Sequence, residues 1–212
     1  MKKFVVLIVM LLLLTGCTNI QKENYNDIIS SVVTSRYNVF NEYRSGYKYY
    51  MPNSMSSVDT KDFNEKITSS KYNYYLYVDV VSYYNRTLNE FKSDDKAYYS
   101  EAITYEDKYG YLEINRQDNK KYLVEIMYNY AKIEVMVEES DLKEAVTNSI
   151  IILSSINYNS EILAGIVGDN ALEYNEETFN IFQAKKKESN FLDVQESDVY
   201  EEKEKVDPDL VD

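Results

Sequence analysis

Four acidic residues, Asp79, Glu101, Glu113 and Glu125, fall in segments that read as strands. Two of them held about 5–10 Å apart would supply the acid and base, or acid and nucleophile, that cleave a glycosidic bond. The plainer reading of each is a solvated or ion-paired strand position. Other chemistries are closed off by composition. The chain has no histidine and a single cysteine, Cys17, which removes the Ser-His-Asp triad, the imidazole base and the soft-metal ligand sets together. Hard cations need clustered oxygens, and Ser93-Asp94-Asp95 and Glu138-Glu139-Ser140-Asp141 lack the spacing of an EF-hand loop, so both read as turn and helix-start acids. No glycine-rich phosphate loop occurs among the five glycines. The expectation is therefore no metal, no cofactor and no catalytic residue.

Tyrosine is the compositional excess, with 23 residues against seven phenylalanines and no tryptophan. A tyrosine ring is apolar and its hydroxyl polar, which suits half-buried strands and binding faces for peptide or sugar alike. Tyr75, Tyr77 and Tyr83 lie with Asn73 and Asp79 on the less apolar face of the clearest strand, residues 71–84. They form either an exposed binding surface or an amphipathic core covered by helices.

The elements that position these residues follow from periodicity. Tyr25, Ile28, Ile29, Val32 and Val33 recur at helical spacing, predicting a helix over 25–36 with Asn24 as N-cap. From Gly46 the period is two: strands are expected at 47–51, weakly at 63–68, then at 71–84, 97–105, 109–117, 121–128 and 131–138, with a polar loop at 53–60. Short turns such as Asp118-Asn119 and Asn129-Tyr130 imply antiparallel neighbours. A second helix starts near Ser140 and carries Leu142, Ala145, Val146, Ser149, Ile150, Leu153 and Ile156 along one stripe; a short one is expected over 159–168 and an edge element over 172–182. The fold class is α+β: an antiparallel meander sheet of about five to seven strands, with an N-terminal and a C-terminal helix packed on it.

That order, with Gly46-Tyr47-Lys48-Tyr49-Tyr50-Met51-Pro52 opening the sheet and the strand pair Tyr122 to Val137 running into the closing helix, resembles the PsbP and Mog1 type of α/β/α sandwich. The resemblance implies a non-catalytic accessory or binding protein and carries no residue role.

Cys17 supplies an address. Lys2 and Lys3 precede an unbroken apolar run, Phe4–Leu14. The run fits the roughly 7–15 residues of a signal h-region and falls short of the roughly 20 needed to span a bilayer. Leu14-Thr15-Gly16-Cys17 resembles the lipobox of bacterial lipoproteins, which implies diacylglycerylation of Cys17 and removal of residues 1–16. Residues 17–24 then form a tether, 25–187 a single α+β domain, and 188–212, where acids far outnumber Lys203 and Lys205, an acidic disordered tail. Two or three acyl chains hold a protein firmly where one holds it marginally.

A net charge of −13 leaves no basic footprint for nucleic acid. The expected partners are the membrane, through the lipid on Cys17, and an envelope or membrane protein. These features predict a lipid-anchored module on the extracytoplasmic face of the cell membrane that binds or assists without catalysis. The alternatives are a ligand receptor associated with a transporter and a carboxylate-based envelope hydrolase.

Overall fold

Asn24 starts the first helix: its side-chain oxygen accepts a hydrogen bond from the Asp27 amide at 2.8 Å, satisfying one of the amides left free at a helix start. Helix α1, Tyr25–Thr34, follows in a computed structural model that describes residues 20–35, 38–88 and 90–168. Cys17, residues 1–16, the 172–182 segment and the 188–212 tail lie outside the described residues. A single 3-10 turn, Ile20–Lys22, precedes α1.

Beyond α1 the chain forms β1 (Glu42–Arg44), β2 (Tyr47–Tyr49), β3 (Ser56–Lys61), β4 (Asn64–Thr68), β5 (Asn73–Val78), helix α2 (Val80–Asn85), β6 (Tyr99–Tyr105), β7 (Lys108–Arg116), β8 (Lys121–Tyr128), β9 (Ala131–Glu138), helix α3 (Leu142–Ser155), β10 (Asn157–Tyr158) and helix α4 (Ser160–Val167). The fold is α+β, with a seven-stranded antiparallel sheet ordered β3-β4-β5-β9-β8-β7-β6 and a small sheet ordered β1-β2-β10. The large sheet is two meanders joined edge to edge, β3 to β5 and β6 to β9, with β5 against β9. Composition explains that order. β5, β9 and β8 alternate Tyr74, Leu76 and Val78, Ile133, Val135 and Val137, and Val124 and Ile126 toward the core, so they take the centre. Polar β3, Ser-Ser-Val-Asp-Thr-Lys, is exposed along its whole length at one edge and bulged between Ser57 and Asp59.

Two expectations change here. Residues 53–60 were expected as a loop, but most of that stretch is β3; its side chains have no period because neither face is buried. The long strand over 71–84 stops at Val78. Asp79 turns the chain by accepting from the Ser82 amide at 2.8 Å, which caps α2, and Tyr83 is carried onto a helix.

Helices α1 and α3 pack on each other and on one face of the large sheet. Ile28, Ile29, Val32 and Val33 of α1 share a core with Leu142, Ala145, Val146, Ile150 and Leu153 of α3. Burying each of these larger aliphatic side chains contributes about 1.5–3 kcal/mol. The two ends of the sheet differ. At the near end lie Ile20–Lys22, the start of α1, Tyr98 and the β7–β8 turn. At the far end lie the β6–β7 and β8–β9 turns, α2 and β10. Gly46, with φ of 91°, closes the β1–β2 turn and accepts from the Asn159 amide at 2.8 Å, tying the small sheet to α4. Among the described residues no helix is long and apolar enough to cross a membrane.

Candidate functional site

Strand alternation sends Tyr75 and Tyr77 to the sheet face opposite α1 and α3. There they are 6% and 4% exposed, so they form a buried layer and not an open surface. Register then joins two sets of residues that the sequence treats separately. Tyr75 stands opposite Glu134, Glu134 opposite Glu125, and Glu125 opposite Glu113, a row of three carboxylates on adjacent strands.

The row is held by specific partners. Tyr111 Oη donates to Glu125 Oε1 at 2.6 Å, and Asn115 Nδ2 donates to Glu113 Oε1 at 2.7 Å. Lys132 Nζ lies 3.0 Å from Glu134 Oε1, with Tyr77 opposite Lys132 in register. Phe91 stacks on Tyr111 at 4.5 Å. Burial pushes the Glu125 carboxyl above its usual range. Lys132 and the Tyr111 hydroxyl act against this shift, and the Glu134 charge adds to it.

A glutamate raised in the folded state stabilises the fold fully below its unfolded value of about 4.3, and that contribution is lost as pH rises through the folded value. Glu125→Gln is therefore expected to narrow the pH dependence of the melting temperature. Relative to wild type the variant should gain stability as pH rises above about 4.3, and a pH-independent difference would count against the assignment.

The other acids do not converge on this row. Asp79 is fully buried as the α2 cap. Glu101 pairs in register with Leu112, on the opposite face from Glu113, and accepts from Tyr99 Oη at 2.6 Å. That hydrogen bond, with help from Asn26, lowers the Glu101 carboxyl pKa. Of the hard-cation candidates, Asp94 accepts from the Lys96 amide within its turn, and Asp141 accepts from Tyr72 Oη at 2.6 Å and pairs with Lys71 Nζ at 3.3 Å. Among the described residues no group of His, Cys, Asp and Glu is arranged to hold a metal ion.

Tyr83 belongs to a different site, at the far end. Its ring stacks on Tyr158 at 3.9 Å and meets Tyr130 edge-on at 5.7 Å, while the Arg86 guanidinium lies 4.4 Å from its centroid. Its hydroxyl is 2.9 Å from Ser160 Oγ, and Tyr158 Oη donates to the Asn129 carbonyl at 2.7 Å. This half-buried cluster locks α2, α4 and the β8–β9 turn together. Near it, Tyr84 is 43% exposed on α2 and Tyr109 45% exposed at the start of β7. The far end thus presents aromatic rings on a rigid base.

Sequence reasoning missed Tyr111, Lys132 and Glu134, and at the far end Arg86, Tyr130 and Tyr158. One signal was present. A two-residue turn at Asn129-Tyr130 pairs Tyr128 with Ala131, and counting back three residues on each strand places Glu125 opposite Glu134. Nothing local in the sequence joins Tyr83 to Tyr158.

No protein-family model matches the chain, and a search of the curated proteins finds no match either.

Proposed function

We propose that this chain is an extracytoplasmic lipoprotein, anchored through Cys17, whose domain is a non-catalytic binding or accessory module for a protein or envelope component. The observation that best supports it is the division of labour between the two aromatic and acidic groups. In the carboxylate row Glu113 and Glu125 are each 9% exposed and committed to Asn115 and Tyr111, whereas the exposed Tyr84 and Tyr109 stand at one end over a locked cluster. Rigid exposed tyrosines make large contacts at low entropic cost, the quality that marks binding hot spots.

Crosslinking and capture from intact membranes test the reading. The Tyr84→Ala/Tyr109→Ala double variant removes two exposed rings and should fold normally. Recovery of the wild-type partner should fall at least about tenfold, the loss expected from about 1.4 kcal/mol. Unchanged recovery by a folded variant would remove the far end from the proposal. Cys17→Ser should move the protein from the membrane to the soluble fraction, and continued retention would refute the anchor.

The hydrolase reading retains one supporting observation, the direct register of Glu113 with Glu125. It requires turnover of a cell-wall glycan that Glu125→Gln abolishes.

A further inference from the structure

We infer that the near end of the domain rests against the lipid headgroups, with Tyr98 at the bilayer interface and the far-end tyrosines turned away from it. The inference rests on the reading of Cys17 as the lipid-bearing residue.

Chain length carries the first step. Cys17 is three residues before Ile20, so even a fully extended path between them spans only about 11 Å. Ile20, in the first described turn, packs against the hydrophobic core. A lipid on Cys17 therefore leaves the domain no room to stand off from the surface.

The residues collected at that end suit an interface. Tyr25 and Tyr99 meet at 4.8 Å, and Tyr98 meets Tyr122 edge-on at 4.9 Å. Tyr99 Oη lies 2.7 Å from Asn26 Oδ1, linking β6 to the start of α1. Tyr98 is 50% exposed on top of this cluster. Tyrosine rings concentrate at the headgroup level because the ring is apolar and the hydroxyl wet.

The near end carries Lys22, Lys71, Arg116, Lys120 and Lys121 beside Glu23, Asp27, Glu101, Asp118, Glu138, Glu139 and Asp141, so its charge does not set it apart from the far end. Orientation follows from the short reach of the anchor and from the exposed Tyr98 ring.

The chain lacks tryptophan, so one substitution gives a clean probe. Tyr98→Trp and, at the opposite end of the sheet, Tyr109→Trp are each prepared as the full lipidated protein in phosphatidylcholine–phosphatidylglycerol vesicles. The expected result is blue-shifted emission at position 98, quenched by brominated lipid several-fold more than at position 109. Equal quenching, or stronger quenching at 109, overturns the inference while leaving the anchor intact. Failure of the lipidated protein to float with vesicles overturns the anchor and the inference with it.

Discussion

Replacing Gly110 with alanine is expected to prevent β7 and β8 from closing. A Cβ at this position would lie 2.0 Å from the Met127 carbonyl oxygen and 2.8 Å from its carbon, both backbone atoms. Side chains in a crowded core can shift, and overpacking there costs about 1–3 kcal/mol. A carbonyl in a strand pairing cannot move without giving up the ladder, so the expected loss is about 3 kcal/mol or more, a large share of the roughly 5–15 kcal/mol that holds a domain together. The measurement is the urea midpoint, or soluble yield if the variant does not fold. Gly165→Ala is the control: nothing lies within 4 Å of its Cβ. It sits in α4 and should be neutral or gain about 0.4–1 kcal/mol. A Gly110→Ala protein with the wild-type midpoint would show that the strands are spaced differently.

The second large effect is expected at Glu65. This carboxylate is fully buried and receives Arg44 in a two-pronged contact, Nη2 to Oε1 at 2.5 Å and Nε to Oε2 at 3.2 Å. Arg44 also pairs with Glu42 at 3.0 Å and lies 5.7 Å from the Tyr49 ring centroid. The pair joins β1 of the small sheet to β4 of the large one. Glu65→Ala leaves the guanidinium largely buried without its main partner, which typically costs about 3–5 kcal/mol. Replacing both partners by apolar residues of similar size, Arg44→Met with Glu65→Leu, should recover most of that loss, because the desolvation of both charges disappears as well. Denaturant unfolding of the three proteins decides it. If the double variant is as unstable as Glu65→Ala, the pair contributes through shape and not charge.

The fold class and most elements were legible because they rest on local rules. Alternation marked β7, β8 and β9, and the stripe from Leu142 to Leu153 marked α3. The misplaced features depend on distant partners. β3 is a strand only because it pairs with β4; its side chains, all exposed, record no face. The strand through Tyr83 looked continuous because Val80, Val81, Tyr83 and Tyr84 favour strands. Asp79 three residues before Ser82 is a helix-start signal, and it outweighed that propensity. Of the four strand acids only Glu113 and Glu125 meet, because convergence depends on register across the sheet. One turn in the sequence fixes part of that register. The far-end cluster joins Tyr83, Tyr130 and Tyr158 from three elements, and only tertiary packing brings them together.

Under the anchor proposed above, the β3 edge bears on how copies of the chain lie beside one another. Molecules confined to a plane meet one another far more often than in solution, and a sheet with an open flank invites a neighbour to add its own strand. Here that flank is irregular, bulged between Ser57 and Asp59, and it displays Asp59 and Lys61 along a strand that is exposed throughout. A second chain aligned to it would meet a broken ladder and exposed charges. That flank is built to remain single, so copies held by the proposed anchor would not join along it into a common sheet.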